Sequence, residues 1–181
     1  MYKGGSMDKI MVIGCGGAGK STFSRQLCQI LKISVHHLDT LGWQAGWVAT
    51  PREEFDEEVS KLILNEKWII DGNYGRTFDV RFEQADTIFF LNMSRTRCLY
   101  RVFKRRILNH GKSRPDMKEG CPEKLDFEFI KWVWHYKKHK SPKILEKLKI
   151  LEKEKKVIVF NKPSEVERFL MKLRTSTVVE Y

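Results

Sequence analysis

Residues 14–21, Gly14-Cys15-Gly16-Gly17-Ala18-Gly19-Lys20-Ser21, fit G-x-x-x-x-G-K-[ST] at every fixed position, and Thr22 follows. Glycines let a backbone wrap around a phosphate and turn its N–H groups inward. A helix starting at the loop's end adds partial positive charge at the same spot. Lys20 would reach the outer phosphates of ATP, and the Ser21 hydroxyl would bind Mg2+. Gly14, Gly16, Gly17, Ala18, Gly19, Lys20, Ser21 and Thr22 are thus the expected nucleotide-binding residues. The same glycines also fit G-x-G-x-x-G, the dinucleotide fingerprint, with Asp39 standing 20 residues beyond Gly19. Lys20-Ser21 decides against that reading, because a dinucleotide site needs no lysine and hydroxyl directly after the last glycine.

Carboxylates, arginines and aromatics that would complete such a site lie downstream. Asp39 and Asp71 each follow an apolar run that reads as a strand. In an open parallel sheet, ligands gather at the carboxyl ends of the strands, so both are expected to face the loop. There a carboxylate holds a metal-bound water or accepts a proton from an attacking hydroxyl. Asp71 is the expected catalytic carboxylate and, with Ser21, the Mg2+ position, directly or through water; Asp39 is the expected substrate contact. Arg97, Arg101 and Arg105 recur every four residues, one basic stripe on a helix. A positioned arginine stabilises charge on a transferring phosphoryl group, and Arg105 is expected in that role. Arg76 and Arg81 could hold an acidic acceptor, and Arg114, on a glycine–proline loop, reads as a lid arginine that meets the substrate. Trp43 and Trp47 could stack on a ring or pack beneath a loop. His135 and His139 have metal-ligand spacing, but Tyr136 stands where a glutamate would be and no third ligand is evident.

These residues need elements to hold them. Residues 9–14, 33–39, 67–71, 86–92 and 156–161 read as strands, and 21–31, 94–108, 126–139, 141–155 and 164–173 as helices. Thr50-Pro51-Arg52-Glu53 reads as a capping box opening another helix, with Phe55, Val59, Leu62 and Ile63 on its apolar face. Ser164 and Glu167 read as a second box. On the 94–108 helix, Leu99, Val102, Phe103 and Ile107 are the expected inner face. Residues 109–125 carry two glycines and two prolines with no apolar period, and read as a mobile lid loop. Strands alternating with helices imply one α/β domain across residues 1–181, with a parallel sheet covered on both faces.

Composition bounds the function. The chain has 181 residues, 41% of them hydrophobic and 31% charged, enough for one folded domain. No run approaches the ~18 apolar residues of a membrane span, and the start has no apolar leader core. Residues 1–6 read as an expression scar before a native Met7. Cys15, Cys28, Cys98 and Cys121 lie far apart and read as reduced thiols, so the expected compartment is the cytoplasm. Residues 91–156 hold 20 of the 34 Lys and Arg but 8 of the 23 Asp and Glu, which puts the whole net charge of +11 in that segment. Such a segment expects a polyanion.

The stretch WIIDGNYGRTF (68–78) resembles the part of adenylate kinases in which the third strand ends in Asp-Gly and an arginine follows. Residues 86–107 resemble that family's fourth strand and lid-entry helix, including its R-x-x-x-R pair, here Arg101 and Arg105. The resemblance implies that Arg101 stacks on the nucleotide base, that Arg105 contacts phosphates, and that Lys162 lies near the adenine. It covers most of residues 8–173 and implies a P-loop NTPase fold: three α/β/α layers, a five-stranded parallel sheet and a short basic lid. The HLD-x-L-x-W block (37–43) and the DGNY block (71–74) bring the chain nearest to small bacterial proteins labelled DNA topology modulation protein. It departs from adenylate kinases after the second strand: two tryptophans stand there, and the one arginine is Arg52, inside the capping motif. The expected activity is transfer of the γ-phosphoryl of ATP, with Mg2+, to a small acceptor: a nucleoside, nucleotide or other hydroxyl metabolite. The expected form is a monomer or dimer. The alternative is a nucleic-acid-binding NTPase or regulator using the 91–156 surface.

Overall fold

The computed structural model describes residues 7–109, 116–122 and 126–178. Its elements in chain order are β1 (Lys9–Gly14), α1 (Lys20–Leu31), β2 (Val35–His37), α2 (Leu38–Gly42), β3 (Trp43–Gln44), β4 (Val48–Ala49), α3 (Arg52–Leu64), β5 (Trp68–Asp71), α4 (Phe78–Gln84), β6 (Thr87–Leu91), α5 (Arg95–Leu108), α6 (Phe127–His139), α7 (Ser141–Leu151), β7 (Lys156–Phe160) and α8 (Pro163–Val178). Five strands form a parallel sheet in the order β2-β5-β1-β6-β7. The tiny strands β3 and β4 pair separately as an antiparallel hairpin.

Helices cover both faces of the sheet, so its central strands have no polar face. Ile10, Met11, Val12, Ile13, Ile69, Ile70, Ile88 and Phe89 are fully buried, which is why these strands read as continuous apolar runs. Phe23 of α1 packs edge-on against Phe89 at 4.9 Å and Phe160 at 5.7 Å, tying the helix after the glycine loop to β6 and β7. Burying such a ring is worth ~1.5–3 kcal/mol, so α1 is anchored by its apolar face while its first turn stays at the loop.

Several local expectations differ. β2 ends at His37, and Asp39 lies on α2. The first capping box does not form: Pro51 is the N-cap, and the Thr50 hydroxyl donates instead to Leu41 O at 2.6 Å. At the start of α8, Glu165 rather than Glu167 closes the turn, accepting from Asn161 N at 2.7 Å and Lys162 N at 3.2 Å. On α5 the buried pair is Cys98 and Val102, whereas Phe103 and Ile107 are exposed. The apolar period there was genuine but the helix is rolled, so Arg101 and Arg105 come half inward. The hairpin, α2 and α4 were not expected; each is too short to show a period.

Of the expected lid, 110–115 and 123–125 lie outside the described residues, as do 1–6. Residues 116–122 are no loose loop. Asp116, Met117 and Cys121 are buried. Gly46 N donates to Gly120 O at 2.8 Å, Trp47 Nε1 to Pro122 O at 3.0 Å, and Cys121 Sγ to Gln44 O at 3.1 Å. The segment is a strap clasped to the β3–β4 hairpin.

Candidate functional site

The site begins where β1 runs out. Gly14 closes the strand with φ +150, and a Cβ there would meet the Leu91 carbonyl at 2.7 Å. Gly17 and Gly19 take φ +76 and +101, backbone that side chains rarely adopt. Asn73, two residues past β5, fastens the start of the loop. Its Nδ2 donates to Gly14 O at 2.7 Å, and its Oδ1 accepts from Gly14 N at 3.2 Å. No spacing rule flags Asn73; its only signal is its place in DGNY beside the strand-end Asp71.

α5 presses on the loop from the other side. Arg101 Nη1 donates to Ala18 O at 2.9 Å. A Cβ on Gly17 would meet the Cys98 carbonyl at 2.3 Å. Cys15 Sγ donates to Val133 O at 3.8 Å, and the neighbouring Cys98 thiol together with burial pushes the Cys15 thiol up. All four cysteines are free, as expected. Lys20 folds back across the loop, with Nζ 3.3 Å from Cys15 O.

One cavity of about 1040 Å3 runs from this loop to the hairpin and strap. Gly16, Gly17, Ala18, Gly19, Lys20, Ser21 and Thr22 line it, and Arg101 and Arg105 face it from α5. At its other end stand Asp39, Trp43 and Tyr74, with Asp116 of the strap. Phe129 and Trp132 of α6 form a further wall, their rings stacked at 5.8 Å. Trp43 and Trp47 meet edge-on at 5.5 Å. Tyr74 organises this end: its ring stacks on Phe55 at 4.7 Å, and its hydroxyl lies beside Asp39 and Trp43. Burial first, then the Asp39 charge, pushes that hydroxyl far above its ordinary range, so it stays neutral beside the carboxylate.

Other expected residues lie elsewhere. Asp71 is buried and does not line the cavity; it accepts from His37 Nδ1 at 2.8 Å. Burial lowers the His37 pKa, but the hydrogen bond and charge of Asp71 outweigh it, and the net shift is upward. Arg81 has no exposed surface. It donates to Gly72 O, Tyr74 O, Thr77 O and Thr77 Oγ1 at 2.9–3.2 Å, so it holds the 72–77 turn and cannot contact a substrate. Burial works against its charge, and the Asp71 carboxylate opposes that. Arg76 is exposed and pairs with Asp56 at 3.0 Å, outside the cavity. Lys162 is exposed and outside the lining, although the neighbouring Pro163, Val166 and Glu167 belong to it. Arg114 lies outside the described residues.

The donor set fits a phosphate-held Mg2+ better than a metal cage. Mg2+ in such sites is bound by one or two protein groups, substrate phosphates and waters. Ser21 stands on the cavity beside Lys20. Asp71, the other expected position, is turned to His37. Among the described residues no cluster of three His, Cys, Asp or Glu could hold a metal, and His135 and His139 are exposed.

No model of a protein family matches the chain, and no curated protein matches it either. Solved structures do. A gluconokinase from Sinorhizobium meliloti 1021 is 10% identical with a TM-score of 0.52, over 95% of this chain and 92% of that one. A shikimate kinase from Acinetobacter baumannii, in complex with shikimate, is 15% identical with a TM-score of 0.51, over 97% and 95%. A shikimate kinase from Bacteroides thetaiotaomicron is 20% identical with a TM-score of 0.48, over 97% and 100%. At these identities the likeness is one of fold: the chain has the three-layer α/β/α fold of P-loop kinases, its glycine loop between the first strand and the first helix.

Proposed function

We propose that the protein transfers the γ-phosphoryl group of ATP to a hydroxyl of a small acceptor. One observation carries the reading: the glycine loop, Lys20, Arg101 and Arg105 share a single cavity with Asp39 at its far end. A nucleotide with its phosphates in the loop would leave the γ-phosphorus pointing along that cavity. Lys20 then leaves the Cys15 carbonyl for the outer phosphate oxygens. Arg101 and Arg105 lie across the nucleotide and take up charge as the phosphoryl group moves. Ser21 would hold a bound Mg2+, which neutralises phosphate charge. The acceptor oxygen attacks the γ-phosphorus and gives its proton to Asp39; the bond to the β–γ bridging oxygen breaks, and ADP leaves. Asp39 rather than Asp71 takes that role because it faces the cavity, with Tyr74 beside it. Asp71 supports the turn behind the site. The resemblance to adenylate kinases supports the same chemistry, and the thiol-rich chain suits a cytoplasmic setting. The label of the small bacterial proteins that the sequence resembles names a phenotype more than a chemistry.

The test is ADP formation from ATP and Mg2+ over a panel of nucleosides, monophosphates, sugars and sugar acids. Lys20→Ala is expected to abolish turnover with any acceptor the protein uses, leaving the fold intact by circular dichroism. Unchanged turnover in that variant sinks the proposal.

A further inference from the structure

The acceptor end of the cavity has a chemistry of its own. We infer that it takes a neutral acceptor bearing a flat conjugated ring, a molecule of the nucleoside class, with the ring on Trp43 and Trp132 and a hydroxyl on Asp39. This rests on the kinase reading of the same site.

Three observations lead there. First, Trp43 lies on the cavity beside Tyr74, and Trp47 braces it edge-on at 5.5 Å. What it brings to the cavity is ring surface, held in one place. On α6, Trp132 stacks on Phe129, and Phe129 reaches to 2.5 Å of where a Gly16 Cβ would be. The cavity is therefore lined by ring surface at the hairpin end and again beside the loop. Such surfaces recognise flat rings by stacking, independent of hydrogen-bond pattern.

Second, among the described residues the acceptor end carries more acid than base. Arg81 is consumed by backbone carbonyls, and Arg76 by Asp56 and the Arg52 carbonyl. Lys20, Arg101 and Arg105 belong to the loop side; Arg25 of α1 is the other cation on the lining among the described residues, and it acts on His37 together with Asp116. Against that one cation stand the carboxylates of Asp39 and Asp116, which accept from a hydroxyl and repel a phosphate or carboxylate.

Third, there is room beside a nucleotide. Pockets for one drug-sized ligand run to roughly 300–1,000 Å3. At about 1040 Å3 the cavity lies just above that range.

The experiment separates acceptor recognition from turnover. The full chain is first saturated with ADP and Mg2+ to fill the loop side. It is then titrated with adenosine and thymidine, their 5′-monophosphates, ribose and gluconate. Three of its five tryptophans line the cavity, so their fluorescence reports occupancy. The nucleosides should bind saturably, with each monophosphate at least about tenfold weaker and ribose and gluconate without saturable signal. Trp43→Ala and Trp132→Ala should each weaken nucleoside binding by about tenfold, the scale of one base–aromatic stack, with ADP binding unchanged. Trp43→Phe, which keeps ring surface, should restore most of it.

Tighter binding of a monophosphate, of ribose or of gluconate overturns the inference. So does absence of nucleoside binding, or nucleoside binding that neither tryptophan variant alters. Nucleosides that bind this way yet yield no ADP from ATP would uphold it while sinking the kinase reading. ADP formation on gluconate alone would do the reverse.

Discussion

Gly17 and Gly75 lie on either side of a line that the sequence does not draw. Both look like flexible turn residues. At Gly17 a Cβ would meet the Cys98 carbonyl at 2.3 Å on backbone with φ +76, whereas at Gly75 nothing lies within 4 Å. Gly17→Ala must therefore move α5 off the loop, and is expected to cut ATP affinity at least about tenfold, an effect of ~1.4 kcal/mol or more. Gly75→Ala should leave affinity unchanged; calorimetric titration with ATP decides both. Arg81 gives a stability test. Arg81→Met takes the guanidinium donors away from the carbonyls of residues 72, 74 and 77, of which Tyr74 O keeps Thr77 N, and should destabilise by about 3 kcal/mol, measured as a shift of the urea midpoint at unchanged slope. His37 gives a pH test. Its folded pKa is raised above the ordinary 6.5 by Asp71. Its stabilising contribution is thus fully present below pH ~6.5 and is lost as pH rises through the raised value. His36, lowered by burial, works in the opposite sense, so the comparison must be wild type against His37→Gln. Their difference in urea midpoint should shrink as pH rises past ~6.5. A difference that grows would refute the pairing.

At the scale of elements, the clasp between hairpin and strap makes its own forecast. Trp47 sits at φ 64, left-handed backbone for a bulky residue, and its indole donates to Pro122 O at 3.0 Å. Trp47→Phe keeps a ring and drops that bond, a loss of ~1 kcal/mol that should populate strap opening roughly fivefold more. Tryptic cleavage after Lys118 should quicken by the same factor, and a rate equal to wild type would show that the strap is held by other means. This clasp also marks where sequence reading stops. The five strands of the parallel sheet and the glycine loop were legible because apolar runs and fixed spacings are local signals. The hairpin was not: its strands are two residues each, and its partner lies beyond Lys118. Asp71 and Asp39 show the same boundary. Both end apolar runs and look equivalent in sequence, and only the turn of α2 brings Asp39 to the cavity while His37 takes Asp71. Arg81 looked like a substrate arginine because nothing local says that a guanidinium will be swallowed by its own turn.

For the molecule as a whole, the question is what the excess charge of residues 91–156 does. Part of it is internal. Arg101 and Arg105 face the cavity, and Lys155 donates to the carbonyls of Glu83 and Ala85 at 2.6 and 2.8 Å. Lys137 donates to Asn92, and Lys147 pairs with Asp79. These cations tie α6 to the end of β6, and α7 and the approach to β7 to α4, and the charge run is in part a structural seam. Arg95, Arg97, Lys104, Lys131 and Lys138 remain exposed on α5 and α6. A few such charges on one surface attract duplex DNA at low salt without reading it, and binding falls with a slope of about 0.9 per phosphate neutralised in a log–log plot against salt. Filter retention of duplex DNA is therefore expected at low ionic strength and should vanish by roughly 0.2 M salt. ATP binding, enclosed in the cavity, should change far less over the same range. Retention that persists at the higher salt, or DNA that accelerates ADP formation, would mean that this surface is the working face of the protein and that the cavity serves it.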